Sequence, residues 1–436
     1  MSRLPSRCDL VLKNLLLPSG RTADVSVYQG LVCHTGAPIS SDIVVECGGR
    51  LAIPAGVDMH VHMRGWSQKA KEDWNSGSMS AIAGGVTMVV DQPNTIPPLD
   101  SPGAFWERVK DGLAHSNCHF AVNGGVSPGA DLEGLWKSGA MNFGEIFAAP
   151  SSYGQALDPG VFFQALSRIG AMGALATIHA EEVVPGEDRS LSDHDRLRPE
   201  GGEAAMVREV QGMAFPAGTA LHFCHLSCPE SVMAVRAGSV EVAPHHLLLS
   251  RDTFSPRDTW AKVNPPLREE KVRRGLLSCW DRIDVIASDH APHTRGEKAD
   301  EFDLAPSGIP GVETMIPLLM AEVKRGALYL DSLIMKTSHT PSRLLGITRA
   351  GFDPGDRADL ILFEGEISAV KAERLHSKAQ WTPYEGMRAL FPAMVVMGGE
   401  VVYQDGEFSP GHPHWYPGRG YIDSTPKRLG ADTSHP

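Results

Sequence analysis

From about residue 53 the chain repeats one pattern: a short apolar run, a polar or Gly/Pro-rich turn, then a stretch with helical spacing of its apolar positions. The apolar runs are "AIPAGVDMHVH", "GVTMVVDQP", "CHFAVNGGV", "MNFGEIFAA", "GALATIHAE", "ALHFCHLS", "VEVAPHHLLL" and "IDVIASDHAP". Between them lie "SGSMSAIAGG", "PGAFWERVKDGLAH", "PGVFFQALSRIGAMG", "EAAMVREVQGMAF", "PESVMAVRAG" and "REEKVRRGLLSCW". Several of these open with Ser or Pro, which suit a helix cap or first turn. Strands that are apolar on both faces belong to a parallel sheet covered by helices. Eight such units in series predict a (β/α)8 barrel of the TIM type. An open doubly wound sheet is the competing arrangement, but no Gly-x-Gly-x-x-Gly follows the first run.

The two ends of the chain change register. Residues 6–53 and 352–415 read as short strands separated by turns, among them "DLVLKNLLL", "ADVSVYQGLVCHTG", "DIVVECGGRLAI", "GFDPGDRADLILFEG", "ALFPAMVVMGGEVVYQDGEF" and "PHWYPG". The expected division is a small β-sandwich domain built from residues 1–53 plus 352–436, and a barrel over 54–351. The final "GYIDSTPKRLGADTSHP" has little apolar content and is expected to form a loose tail.

Polar residues then single out one end of the barrel. A carboxylate, Glu145, stands inside the apolar run "MNFGEIFAA". If that run is extended, Phe143, Glu145 and Phe147 share one face. A buried carboxylate without a partner costs several kcal/mol or takes up a proton, so cationic neighbours are expected. The first strand ends in His60-Val61-His62, whose spacing puts both imidazoles on one face. The fifth ends at His179, the sixth at His225 and the eighth at Asp289. Each alone reads equally well as a satisfied core histidine or a capping aspartate. Together they form a set of imidazoles and carboxylates at the C-terminal ends of the strands, where barrels of this kind carry their chemistry. Such donors suit Zn²⁺ or a similar divalent ion, and six exceed what one zinc normally takes. Two ions sharing a bridge fit the count better.

The motifs "GVDMHVHMRG", "KEDWNSGSMSAIAGGVTMVVDQPNTIPP", "IHAEE", "CHLSCPESV", "VAPHHLLLS", "KVNPPLREEKVRRGLL", "VIASDHAPHT", "EKADEFDLAPSGIPGVET" and "ADLILFEGE" resemble, in order and over residues from about 50 to 365, the dihydroorotases of the amidohydrolase superfamily. The resemblance implies a binuclear Zn²⁺ enzyme that interconverts L-dihydroorotate and N-carbamoyl-L-aspartate in pyrimidine synthesis. It implies that His60, His62 and Asp289 hold one metal, that His179 and His225 hold the other, and that a hydroxide between them is the nucleophile. Asp289 would be the general acid/base. Arg64 and Asn94 would bind the substrate carboxylate, Asn264 and His293 would contact the ring or the carboxylate, and the backbone of Pro310 and Gly311 would lie on the ring. His245 and His246 are not implied as ligands, and Glu181 is either an outer partner of His179 or solvated.

One position departs from the pattern. Many superfamily members bridge their metals with a carbamylated lysine at the end of the fourth strand, where this chain carries Glu145. Lys137 lies earlier, in a helical stretch. Glu145 is therefore the expected bridge. Two other readings compete: a cyclic amidohydrolase of the allantoinase or hydantoinase type, and a metal-free homologue serving as a scaffold. Arg64 and Asn94 argue against the first, and the complete ligand set against the second.

The remaining composition excludes classes rather than adding one. The formal charge of −12 is spread without a basic block, which argues against nucleic acid as a partner. No run reaches the length needed to span a membrane, and the N-terminal segment is interrupted by Lys13 and Asn14 as a signal peptide is not. Seven scattered cysteines with no Cys-x-x-Cys pair fit reduced thiols in a cytoplasmic protein. Homodimerisation and association with aspartate transcarbamoylase are expectations of the resemblance alone.

Overall fold

The computed structural model describes residues 5–148 and 157–422. Most of the expected tail, and Ala149 at the end of the fourth run, lie outside the described residues. All eight apolar runs contain a barrel strand: Gly56–Val61, Val86–Asp91, His119–Val122, Phe143–Phe147, Leu175–His179, Ala220–Phe223, Ser239–Val242 and Val285–Ile286. Neighbours pair in parallel and in chain order, the first three in one set and the last five in another. Parallel bridges Gly124↔Phe143 and Val61↔His290 join the sets at both seams. At the second seam the His62 N–H donates to His290 O at 2.8 Å. The ring is closed, as a (β/α)8 barrel requires.

The helices start where capping chemistry places them. Ser101 accepts from the Ala104 N–H to begin Pro102–His115, and Asp158 accepts from the Gly160 N–H to begin Pro159–Ala171. Phe105, Val109, Phe162, Leu166 and Ile169 from these helices join the core between helices and strands. Inside the barrel, Val57, Met59, Met88, Val90, Ala121, Val285 and Ala287 form a separate apolar plug. The candidate ligands His60, His62, Glu145, His179, His225 and Asp289 lie at or just beyond the C-terminal ends of the strands.

Both chain ends enter one nine-stranded sheet. Strand Leu360–Phe363 pairs antiparallel with Leu51–Pro54 on one side and Pro392–Met397 on the other. Alternation divides its faces. Leu360, Leu362, Met394 and Val396 close a core with Leu10, Leu12, Val25 and Val27, whereas Ile361, Phe363, Val395 and Met397 join the barrel core. The sheet thus folds over its own apolar interior and fastens its other face to the barrel.

Three expectations are corrected in detail. The seventh run is a strand only to Val242. Pro244 then opens a short helix, Pro244–Leu248, carrying His245 and His246, because proline has no N–H for the ladder. "PHWYPG" belongs with the barrel, not the terminal sheet: Phe120 N–H donates to His414 O at 3.0 Å and Tyr416 N–H to Phe120 O at 2.8 Å. Finally, the fourth strand does not alternate simply. Its pairing with the fifth runs Ala176↔Phe143 and then Ile178↔Ile146, so one extra residue is inserted near Glu145. Phe143 and Ile146 therefore join the outer core, Phe143 against Trp136, while Glu145 turns to the interior with Phe147. Gly144 makes this possible: its φ is +124°, and a Cβ there would lie 2.3 Å from Thr177 O.

Candidate metal centre

Glu145 sits among three imidazoles. Its Oε1 is 2.6 Å from His179 Nδ1 and 2.9 Å from His225 Nε2, and its Oε2 is 3.6 Å from His60 Nε2. Asp289 Oδ1 lies 3.3 Å from His62 Nε2 and 3.7 Å from His60 Nε2. Besides a His60–Cys224–Glu241 group, the six expected ligands supply two triplets within 4.8 Å, His60–His62–Glu145 and Glu145–His179–His225, with Glu145 common to both and Asp289 in neither. All six residues are buried. Burial alone would raise the pKa of Glu145, but hydrogen bonds from His179 and His225, with the His60 imidazole close by, outweigh it and hold the carboxyl well below its usual range. Asp289 is shifted down in the same way, with His62 foremost against burial.

An outer ring of oxygen acceptors turns the imidazoles. Because an amide or carboxylate oxygen can only accept, each ring nitrogen facing one carries the proton. His62 Nδ1–H donates to Asn94 Oδ1 at 2.8 Å, and His60 Nδ1–H donates to Glu241 Oε1 at 3.2 Å. Both Nε2 atoms face the two carboxylates, where a divalent ion would take the place of a proton. His179 Nε2–H donates to Glu181 Oε2 at 3.1 Å, which resolves the alternative for Glu181: it is buried and orients His179. Such partners fix tautomer and ring direction in metal sites. Glu241 also accepts from the His225 backbone N–H at 3.0 Å and from His222 Nε2–H at 2.8 Å. It was not among the expected residues, although a carboxylate inside the apolar "VEV" carries the same signal that drew attention to Glu145. Asp58, equally buried, accepts from the backbone N–H groups of His60 and Ser288, and burial raises its carboxyl to about 6.

Three residues of the site hold left-handed backbone conformations: Arg64 and Asp289 at φ +46° and His225 at φ +33°. Each costs roughly 1–2 kcal/mol in a non-glycine residue and persists where the surroundings dictate it.

A cavity of about 40 Å³ opens above the centre, lined by His62, Asn94, Glu145, His179, Asn264 and Asp289 together with Phe147, Val263, Ala291, Ser307 and Gly308. Asn264 Oδ1 accepts from His194 Nε2–H at 2.8 Å, which fixes its orientation. Arg64 and His293 meet beside this cavity: the Arg64 Nε–H donates to Pro292 O at 3.3 Å, and its Nη2 is 3.5 Å from His293 Nε2. Burial, with Arg64 and Lys71 adding to it against Glu297, pushes the His293 imidazole down to about 3, so it is neutral at pH 7. Pro310 and Gly311 do not reach the cavity. They line a separate hollow with His290 and Glu313, and the Gly311 N–H donates to His290 Nδ1 at 3.1 Å. The Ser307–Gly308 backbone occupies the wall expected of them.

No family model matches the chain. A dihydroorotase from Methanosarcina acetivorans is 37% identical over 97% of this chain and 97% of its own length. One from Halobacterium salinarum is 37% identical over 91% of this chain and 97% of its own. The chain belongs to the dihydroorotase family. Among solved structures, an L-hydantoinase from Arthrobacter aurescens superposes with a TM-score of 0.87 at 24% identity, covering 94% of this chain and all of its own. A dihydropyrimidinase from Brevibacillus agri follows at 0.83 and 22%, covering 94% and 99%. These structures share the barrel fold with this dihydroorotase-family chain.

The family is metal-dependent, and the donors present fit divalent ions. His60 Nε2 is buried and directed at two carboxylates, yet has no hydrogen-bond partner among the described residues. Burial would depress His179, but Glu145 and Glu181 overcome it and raise the imidazole to about 10, so positive charge is strongly favoured beside Glu145. Lys137 is exposed on the helix Leu132–Ser138 and does not contribute to the site. No helix among the described residues is long and apolar enough to cross a membrane.

Proposed function

We propose that the chain is a binuclear dihydroorotase that interconverts L-dihydroorotate and N-carbamoyl-L-aspartate, with Glu145 as the bridge between two metal sites. The observation that carries this reading is the sharing of Glu145 by two histidine triplets under a cavity walled by Asn94 and Asn264. His60, His62 and Asp289 would hold one ion and His179 and His225 the other, Zn²⁺ being well matched to imidazole and carboxylate donors. Divalent ions bound there would polarise the ring amide carbonyl and lower the pKa of water from 15.7 to about 7. The barrel, residues 54–351, would carry the chemistry, and the terminal sheet, 1–53 with 352–436, would support it.

Asp289 is placed to move the proton. In ring opening it accepts a proton from the attacking water as the C–O bond forms, and returns it to the ring nitrogen as the C–N bond breaks. In ring closure the same carboxylate runs the sequence backwards. Arg64 supplies a guanidinium fork for the substrate carboxylate. Neutral His293 lies beside that fork without adding charge. Asn94 acts on both sides, its oxygen holding His62 and its amide nitrogen available to the substrate.

The test is turnover of N-carbamoyl-L-aspartate and L-dihydroorotate, compared with hydantoin and allantoin, with and without a chelator. Conversion of the first pair alone, abolished by chelation, is expected. Turnover confined to hydantoin or allantoin would overturn the assignment of substrate, and turnover indifferent to chelation would overturn the metal mechanism.

A further inference from the structure

Lys298 has no exposed surface, and its ammonium is met by carbonyl oxygens instead of a carboxylate. The three acceptors are Lys262 O at 3.1 Å, Pro306 O at 2.9 Å and Gly308 O at 3.1 Å. The residue ends the short helix Arg295–Lys298, which a Thr294–Glu297 capping box starts, and its Nζ lies 5.5 Å from the Trp381 ring centre. Thr259 Oγ1–H holds its backbone carbonyl. An ammonium taken out of water costs several kcal/mol, and an apolar side chain in its place would leave its carbonyl acceptors without that donor. Packing alone does not account for a lysine here.

The three acceptors belong to two segments that meet at the cavity above the metal centre. Lys262 precedes Val263 and Asn264, and Pro306 precedes Ser307 and Gly308; these four followers all line the cavity. The Gly308 N–H also donates to Lys262 O at 3.0 Å, and His293 Nε2–H donates to Ser307 O at 3.1 Å. Gly308 has little room to shift, since a Cβ at its position would lie 2.6 Å from Ala291 O. The ammonium therefore sets the separation of two walls without touching the cavity.

We propose that Lys298 is a positioning residue that clamps the Lys262–Asn264 and Pro306–Gly308 walls together and so sets the affinity for substrate, a role that rests on the dihydroorotase reading. The clamp is strongest when all three N–H donors are present. Burial, reinforced by Lys262 and opposed by Asp258 and Glu297, pushes the Lys298 amine down to about 7. Lys262, Asp258 and Glu297 are the charged groups that act on it, and His293, also within electrostatic reach, stays neutral across this range. As pH rises through about 7 the amine loses a proton, one of the three bonds goes, and the walls loosen.

The experiment compares metal-loaded wild type with Lys298→Met by steady-state kinetics on L-dihydroorotate from pH 6 to 8, with thermal melting as a control. The variant is expected to melt somewhat lower than wild type, because buried carbonyls lose their donor, to keep kcat within about twofold, and to raise KM at least about tenfold, since it loses all three charge-assisted hydrogen bonds and one alone is worth about a factor of ten. Wild-type KM is expected to climb across the pH range while the variant's stays flat. An unchanged KM in a folded Lys298→Met overturns the role of Lys298 while leaving the dihydroorotase reading intact. Should the variant not fold, the wild-type profile decides, and a KM flat from pH 6 to 8 overturns the clamp. A wild type with no turnover of L-dihydroorotate sinks the substrate reading and the clamp with it.

Discussion

Replacing Glu241 separates two things the residue does, holding the fold and charging the centre. Its Oε1 accepts from His60 Nδ1–H and the His225 N–H, and its Oε2 accepts from His222 Nε2–H. Glu241→Gln keeps the shape but removes the charge and one acceptor. The amide oxygen can continue to serve His60 and His225, leaving the NH₂ group facing His222. That imidazole can exchange tautomers, because Ser239 Oγ, 2.8 Å from its Nδ1, can accept as well as donate. The loss of folding stability should therefore be only ~1 kcal/mol. Metal affinity should fall by more, roughly 10–100-fold, since the carboxylate behind a ligating histidine raises its basicity. Glu241→Ala is different: it leaves three buried N–H groups unpaired at about 1–3 kcal/mol each. Competition with a chromophoric chelator measures the affinity, and urea unfolding measures the stability. Glutamine that binds metal as tightly as wild type, or that loses as much stability as alanine, would refute the reasoning.

Two further predictions concern the frame. Gly144→Ala should lower stability by more than about 2 kcal/mol and reduce metal uptake, because it combines a positive φ with a Cβ driven against Thr177 O; a variant with wild-type melting and metal content would contradict this. His119 is buried, with Asp359 and Arg357 nearby, and desolvation holds its imidazole down at about 4, below the usual 6.5 of a histidine. The unfolded chain then binds more protons between those values, so stability is lost as pH falls from 6.5 towards 4, by about 3 kcal/mol from this group. His119→Asn should flatten that part of the stability-against-pH curve, and an equally steep fall in the variant would exclude His119 as the source.

The barrel was legible because its strands are short runs apolar on both faces and its helices open on Ser, Asp or Pro. The candidate ligands could be picked out because they stand at the ends of those runs, where an imidazole or carboxylate has no packing reason to recur. What escaped depends on contacts between strands. The inserted residue near Glu145 is defined by Thr177 across the ladder, so strict alternation put Phe143 on the wrong face. The helix carrying His245 and His246 was signalled by Pro244 but obscured by the apolar residues around it. Glu241 and Asp58 were visible as carboxylates inside apolar strands, yet only the fold reveals that both support His60. That Ser307 and Gly308 line the cavity while Pro310 and Gly311 line a neighbouring hollow had no sequence signal, because it depends on contacts between distant segments.

If Glu145 joins two metal sites, the metal stoichiometry of the protein depends on it. Elemental analysis of wild type and Glu145→Ala, after dialysis against the same metal buffer and alongside turnover of L-dihydroorotate, should give two divalent ions per chain in the wild type. The variant should retain one at most and lose its activity, because His179 and His225 would face each other without the carboxylate between them. A Glu145→Ala protein that kept both ions and wild-type turnover would contradict the claim.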